Sequence, residues 1–320
     1  MSIQKILSKL VNEILRVRMI PTQHRLSQIK HDQMMVFNAL QNNFSDNHDN
    51  LKKYDISQFT TPLWEDYNSN LEKIFLPSPP FSFLQNKIII GTMFLCARRG
   101  KALNEEIKFL EDKIDENTLK NVLQEDYVGD PIISSSKYLT SHNSIHHLYH
   151  IIRFLDKTKC DLNQINTVVE WGGGYGNMAK IFKRLNSAPS TYIIIDTPLF
   201  SCIQWLYLTT ILGEQNINLV KSPEDTIHIG KINLIPLCFL DHHKISADLF
   251  ISTWALSESS RYSQDYVVNH NWFNTKHMLL AYQDSSEVLP NANNAGKIAE
   301  NAGANIEDIE FLSGNHYAFR

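Results

Sequence analysis

Cysteine is scarce in this chain, and runs of basic residues are missing from it. The four cysteines, Cys96, Cys160, Cys202 and Cys238, are scattered and form no C-x-x-C pair. That spacing excludes the disulfide framework of small secreted domains and makes reduced thiols in a cytoplasm the expectation. No cluster of Lys or Arg is long enough for a phosphate-backbone footprint, and the formal charge is −4, so nucleic acid is not an expected partner. Long apolar runs are absent too. Lys5, Lys9, Glu13, Arg16 and Arg18 interrupt residues 1–20, which excludes a signal peptide or a membrane span there, and no membrane partner is expected. What is present is an ordinary globular composition, 43% hydrophobic and 20% charged, over 320 residues, enough for two units.

Residues 1–125 carry mostly helical signals. Ile3, Ile6, Leu7, Leu10 and Ile14 mark one face of an amphipathic first helix, which Pro21 stops. Residues 42–53 are rich in Asn and Asp and read as a surface loop, and Leu76-Pro-Ser-Pro-Pro80 reads as a rigid elbow. An apolar stretch at 88–96 and a charged, helix-favouring one at 103–120 look architectural.

From residue 167 short β-branched runs alternate with helical segments, the pattern of βαβ units in a parallel sheet. Strands are expected at 167–171, 191–196, 232–239, 248–253 and 277–283, with helices at 176–185, 199–212, 262–273 and 294–301. Only Ser-Gly-Asn separates 306–312 from 316–319, which suits a hairpin and an antiparallel edge. The expected fold is α/β: a Rossmann-like, mostly parallel sheet with an antiparallel C-terminal hairpin strand, preceded by a mainly α-helical region. The expected division is 1–125, covering an acceptor site or mediating dimerisation with a second copy, and 126–320, a cofactor domain with 126–165 as its lead-in helix.

The segment T-V-V-E-W-G-G-G-Y-G-N-M-A, residues 167–179, runs from strand through glycine loop into helix, the context a nucleotide fingerprint requires. Asp196 ends the next strand, where a carboxylate can accept hydrogen bonds from both ribose hydroxyls of a nucleoside cofactor. The glycines alone also satisfy a relaxed NAD or FAD fingerprint, so an NAD-dependent oxidoreductase is the alternative. Three details favour S-adenosyl-L-methionine: Glu170 just before the loop, placed to meet a cationic amino group; the late start of the Rossmann-like unit; and the terminal hairpin.

The motifs V-V-E-W-G-G-G-Y-G, Y-I-I-I-D-T-P and D-L-F-I-S-T-W-A-L-S-E resemble those of the sugar O-methyltransferase family, over about residues 125–320. The resemblance implies a class I methyltransferase fold and a carbohydrate acceptor, a sugar or sugar nucleotide. Glu170, Gly172, Gly173, Gly174, Tyr175 and Gly176 would line the methionine end of the cofactor and Asp196 would hold the ribose. Asp241, just past the third strand, would sit near the adenine, although a polar surface turn explains it equally.

Transfer to a sugar hydroxyl needs a general base, or a divalent cation such as Mg²⁺ to acidify the hydroxyl. His142, His146 and His150 fall together beside the apolar face Ile145, Leu148, Tyr149, Ile152 and Leu155 of one helix. His146 is a candidate base, and an i, i+4 His pair can bind a transition metal, but no H-E-x-x-H pattern supplies a carboxylate, so solvated or hydrogen-bonded histidines are expected. Ser252 and Glu258, in S-T-W-A-L-S-E after the fourth strand, lie where open α/β sheets gather ligands. Glu258 could deprotonate or orient the acceptor or ligate a cation; a carboxylate at a helix start is its bland explanation. Trp171, Tyr175 and Trp254 could wall the cofactor or pack in the core. A non-catalytic cofactor-binding subunit is the remaining reading.

Overall fold

The computed structural model describes residues 31–93, 101–186 and 188–320. The expected helix in residues 1–20 and the end of the 88–96 stretch lie outside them. The helices are α1 (His31–Leu51), α2 (Pro62–Phe75), α3 (Lys87–Thr92), α4 (Lys101–Lys113), α5 (Glu116–Leu123), α6 (His142–Thr158), α7 (Asn177–Leu185), α8 (Pro198–Leu212), α9 (Ala255–Glu258), α10 (Arg261–Asn269) and α11 (Asn294–Asn301). A small antiparallel hairpin pairs β1 (Ile133–Ser135) with β2 (Thr140–Ser141). The main strands are β3 (Thr167–Trp171), β4 (Thr191–Asp196), β5 (Ile217–Leu219), β6 (Ile232–Pro236), β7 (Leu249–Thr253), β8 (His277–Gln283), β9 (Asn305–Asp308) and β10 (Asn315–Phe319).

These eight form one sheet in the order β5-β6-β4-β3-β7-β8-β10-β9. Pairing is parallel from β5 to β8, and β10 inserts antiparallel between β8 and β9. The central strands are apolar on both faces, as β4 shows with all six residues of T-Y-I-I-I-D buried. Helices on both faces require that pattern. Counted from β3, the order back through β6 and forward through β8 follows the Rossmann arrangement, and the antiparallel hairpin closes it as the sequence predicts.

Several boundaries differ from expectation. Residues 42–53 form no loop, because α1 continues to Leu51. Phe37, Phe44 and Leu51 recur every seven residues, two helical turns, and all are fully buried. Burying each is worth roughly 1.5–3 kcal/mol, against a helix-propensity cost of up to about 0.7 kcal/mol for each Asn or Asp. The stretch 103–120 splits into α4 and α5 where the Asp115 carboxylate caps the Thr118 N–H at 3.0 Å. The strand from Ile232 ends at Pro236 in a short 3-10 turn, and α10 gives way to a left-handed turn over Asn271, Trp272, Phe273 and Asn274. The C-terminal hairpin closes through a longer turn, with Asp308 opposite His316. The short edge strand β5 is not anticipated by the sequence.

One buried core runs from Phe37 in α1 to Phe319 in β10. α8, apolar nearly all round, is buried from Pro198 to Thr210 because α1 covers the side the sheet does not. Among the described residues no helix is long and apolar enough to cross a membrane.

Candidate functional site

A cavity of about 400 Å³ opens where β3, β4 and β7 end at their carboxyl edges. At one end is the glycine loop. Gly172 holds φ at +75°, and a Cβ there would lie 2.1 Å from the Ala255 Cβ, so only glycine lets the chain turn beneath α9. Gly172, Gly173, Gly174 and Tyr175 line the cavity. Gly176 lies behind it, as the N-cap of α7 at φ +95°, against Leu208.

Two carboxylates face this loop. Glu170, 1% exposed, accepts a hydrogen bond from the Tyr192 hydroxyl at 2.9 Å. Burial, with a smaller push from the Asp196 charge, raises its pKa to about 8. Asp196 accepts from the Thr197 N–H and from Gln204 Nε2, both at 2.8 Å. Burial lifts its pKa to about 7, although those donors and the Gly173 and Gly174 N–H groups oppose the rise. Gln204 Nε2 also donates to the Gly174 carbonyl at 2.9 Å, so one amide ties loop to acid. The sequence reading missed Gln204; its only signal is an amide within an otherwise apolar stretch of α8.

The other end is aromatic: Phe59, Trp64 and Tyr67 come from the helical region and Phe200 from α8, with Trp171 and Trp254. Glu258 stands here. Its carboxylate accepts from Trp64 Nε1 at 3.1 Å and from Gln283 Nε2 at 3.3 Å. Burial raises its pKa in spite of these two donors. Among the described residues Glu258 belongs to no cluster of three or more Asp, Glu, His or Cys ligand groups, so the geometry does not support the Mg²⁺ expected as an option there. Trp254 adopts φ +65°, a strained conformation for a bulky residue and one that clusters at functional sites. Its indole N–H donates to Asn315 Oδ1 at 2.6 Å, and its ring stacks on His146 at 5.6 Å.

Of the remaining expected residues, His146 alone lines the cavity. Ser252 is buried outside the cavity lining; its hydroxyl donates to the Trp171 carbonyl at 2.9 Å and accepts from the Leu256 N–H at 3.0 Å, a structural bracket at the strand end. Asp241 is exposed and does not line the cavity, because the 3-10 turn after Pro236 carries it away and leaves Leu237 in the wall. His142, His146 and His150 are buried, not solvated. His146 lines the cavity, but its Nδ1 meets Glu106 and its Nε2 has essentially no accessible surface, so it presents no basic nitrogen there. Glu106, on α4, also meets His142 Nε2 at 2.7 Å. Burial opposes its ionisation, but the two neighbouring imidazoles, His146 and His142, outweigh that and hold its pKa at about 2.

No family model matches the chain, and no curated protein does. Among solved structures, the chain is similar to the mitomycin 7-O-methyltransferase MmcR, at 12% identity over 78% of this chain and 74% of that one, with a TM-score of 0.40. The pyocyanin biosynthetic protein PhzM is 10% identical over 72% and 70%, with a TM-score of 0.37. Aeropyrum pernix fibrillarin, bound to S-adenosyl-L-methionine, is 12% identical over 54% and 73%, with a TM-score of 0.36. The fold stands on strand order and register: a Rossmann-like, mostly parallel sheet with an antiparallel hairpin at its C-terminal end.

Proposed function

We propose that the protein is an S-adenosyl-L-methionine-dependent O-methyltransferase that methylates a hydroxyl of a carbohydrate. The observation that carries this is one cavity with two unlike ends, Glu170 and Asp196 around the glycine loop and Glu258 among aromatic rings. Among the described residues neither Glu170 nor Asp196 has a cationic partner, and their raised pKa values mark buried carboxylates that a ligand with an ammonium group and ribose hydroxyls would satisfy. S-adenosyl-L-methionine carries both groups and supplies a methyl on a sulfonium.

At the other end the chain needs to orient a hydroxyl and accept its proton. Glu258 is the base of choice: it lines the cavity, two donors fix its orientation, and burial raises its affinity for a proton. As the hydroxyl oxygen takes the methyl group, its proton passes to the Glu258 carboxylate. The aromatic walls exclude water and present flat faces on which a sugar ring can lie.

The test is methyl transfer from labelled S-adenosyl-L-methionine to a panel of glycosides and sugar nucleotides. The reading predicts a methyl ether on at least one sugar. Transfer to amine or nucleic-acid acceptors alone, or oxidation of a sugar with NAD, would contradict it.

A further inference from the structure

The Glu106 carboxylate has no part in that scheme, yet it occupies the buried stripe of α4. Leu103, Glu106 and Leu110 recur at i, i+3 and i+7 on the face that packs against α6, and all three are buried. A carboxylate at such a position is strongly unfavourable unless polar groups meet it. Two imidazoles do, and both come from α6. His142 and His146, one turn apart, face the same way, with His142 Nε2 2.7 Å from one Glu106 oxygen and His146 Nδ1 on the other.

We propose that Glu106, His142 and His146 form a binding site for a first-row transition-metal dication, with Zn²⁺ the best match. One ligand atom from each residue lies within 4.8 Å of the other two, so small side-chain shifts would bring all three onto one ion. Two imidazoles with a carboxylate make a mixed nitrogen and oxygen donor set, which suits zinc and its neighbours and not Mg²⁺ or Ca²⁺. In the absence of an ion, His142 Nε2 donates its proton to Glu106; His142 Nδ1 is buried with no partner among the described residues, so that proton can move to Nδ1 when an ion takes its place on Nε2.

The carboxylate that the sequence pattern lacked thus arrives from a separate helix, 36 residues before His142. Glu106 and His142 lie outside the cavity lining and His146 within it. The ion would therefore clamp α4 to α6 and set the wall of the cavity without entering the reaction. The site stands whatever group is transferred there.

The experiment is metal analysis of the full chain, produced in medium supplemented with zinc, iron and manganese. About one equivalent of a transition metal per chain should survive gel filtration. Co²⁺ added to chelator-treated protein should give visible d–d absorption, and both signals should vanish in Glu106→Gln and in His142→Ala while circular dichroism shows the fold retained. If either variant fails to fold, the wild-type stoichiometry and cobalt spectrum decide. A wild-type protein that carries no metal and gives no cobalt bands overturns the proposal, as does metal retained in full by both variants.

Discussion

The two ends of the cavity reach their form by opposite routes. The loop end is local: Glu170, Gly172, Gly173 and Gly174 follow one another off β3, and Asp196 ends the adjacent strand, in register with it. The aromatic end is assembled at long range, since Trp64 of α2 meets Glu258 across 194 residues of sequence. The Phe59 carbonyl accepts from the Ser260 N–H at 3.2 Å and the Ser263 hydroxyl at 2.7 Å, which pins the helical region to the rim. One end is fixed by backbone geometry, the other by how two regions dock.

This contrast can be broken one end at a time. Glu258→Gln keeps the shape and the Trp64 contact but removes the base, so kcat should fall roughly 10²- to 10⁴-fold, with cofactor affinity unchanged. A matching loss of cofactor binding by calorimetry would show that the two ends are not separate. Gly172→Ala strikes the loop end. A left-handed alanine costs about 1–2 kcal/mol, and the clash with Ala255 adds roughly 1–3 kcal/mol; denaturant unfolding should show the sum and binding should be lost. Wild-type stability in that variant would mean the loop is less constrained than its φ of +75° indicates.

Trp64→Phe probes the docking itself. It removes a donor that lowers the Glu258 pKa, so the acid limb of the pH–rate profile should move to higher pH, by up to about one unit, and activity should fall only modestly. An unmoved limb would exclude Glu258 as the titrating base.

The smallest effect is in proton release. With pKa values of about 8 and 7, Glu170 is mostly protonated and Asp196 half protonated at pH 7 without ligand. An ammonium ligand favours the carboxylate, so binding should release about one proton and tighten as pH rises from 6 to 8. Titrations in buffers of different ionisation enthalpy read this directly; proton uptake would have the wrong sign.

The same contrast explains what the sequence discloses. β3, β4 and β8 match their expected limits, and Asp196 is found by spacing, because strand, loop and acid lie within thirty residues or so. Glu106, Trp64 and Gln204 escape sequence reading because each acquires meaning only from a partner on another element. The expected loop at 42–53 misleads for a related reason. Its Asn and Asp residues describe local preference, while Phe44 and Leu51 answer to a core that includes α8. His146, the candidate base, lines the cavity and yet presents no nitrogen to it, since Glu106 claims one side of the ring.

The most direct test of the central claim is isothermal titration of the wild-type chain and Asp196→Ala with S-adenosyl-L-methionine. The account predicts binding at one site per chain, weakened about 10- to 100-fold in the variant by loss of charge-assisted hydrogen bonds. No binding by the wild type, or equal affinity in the variant, would contradict it.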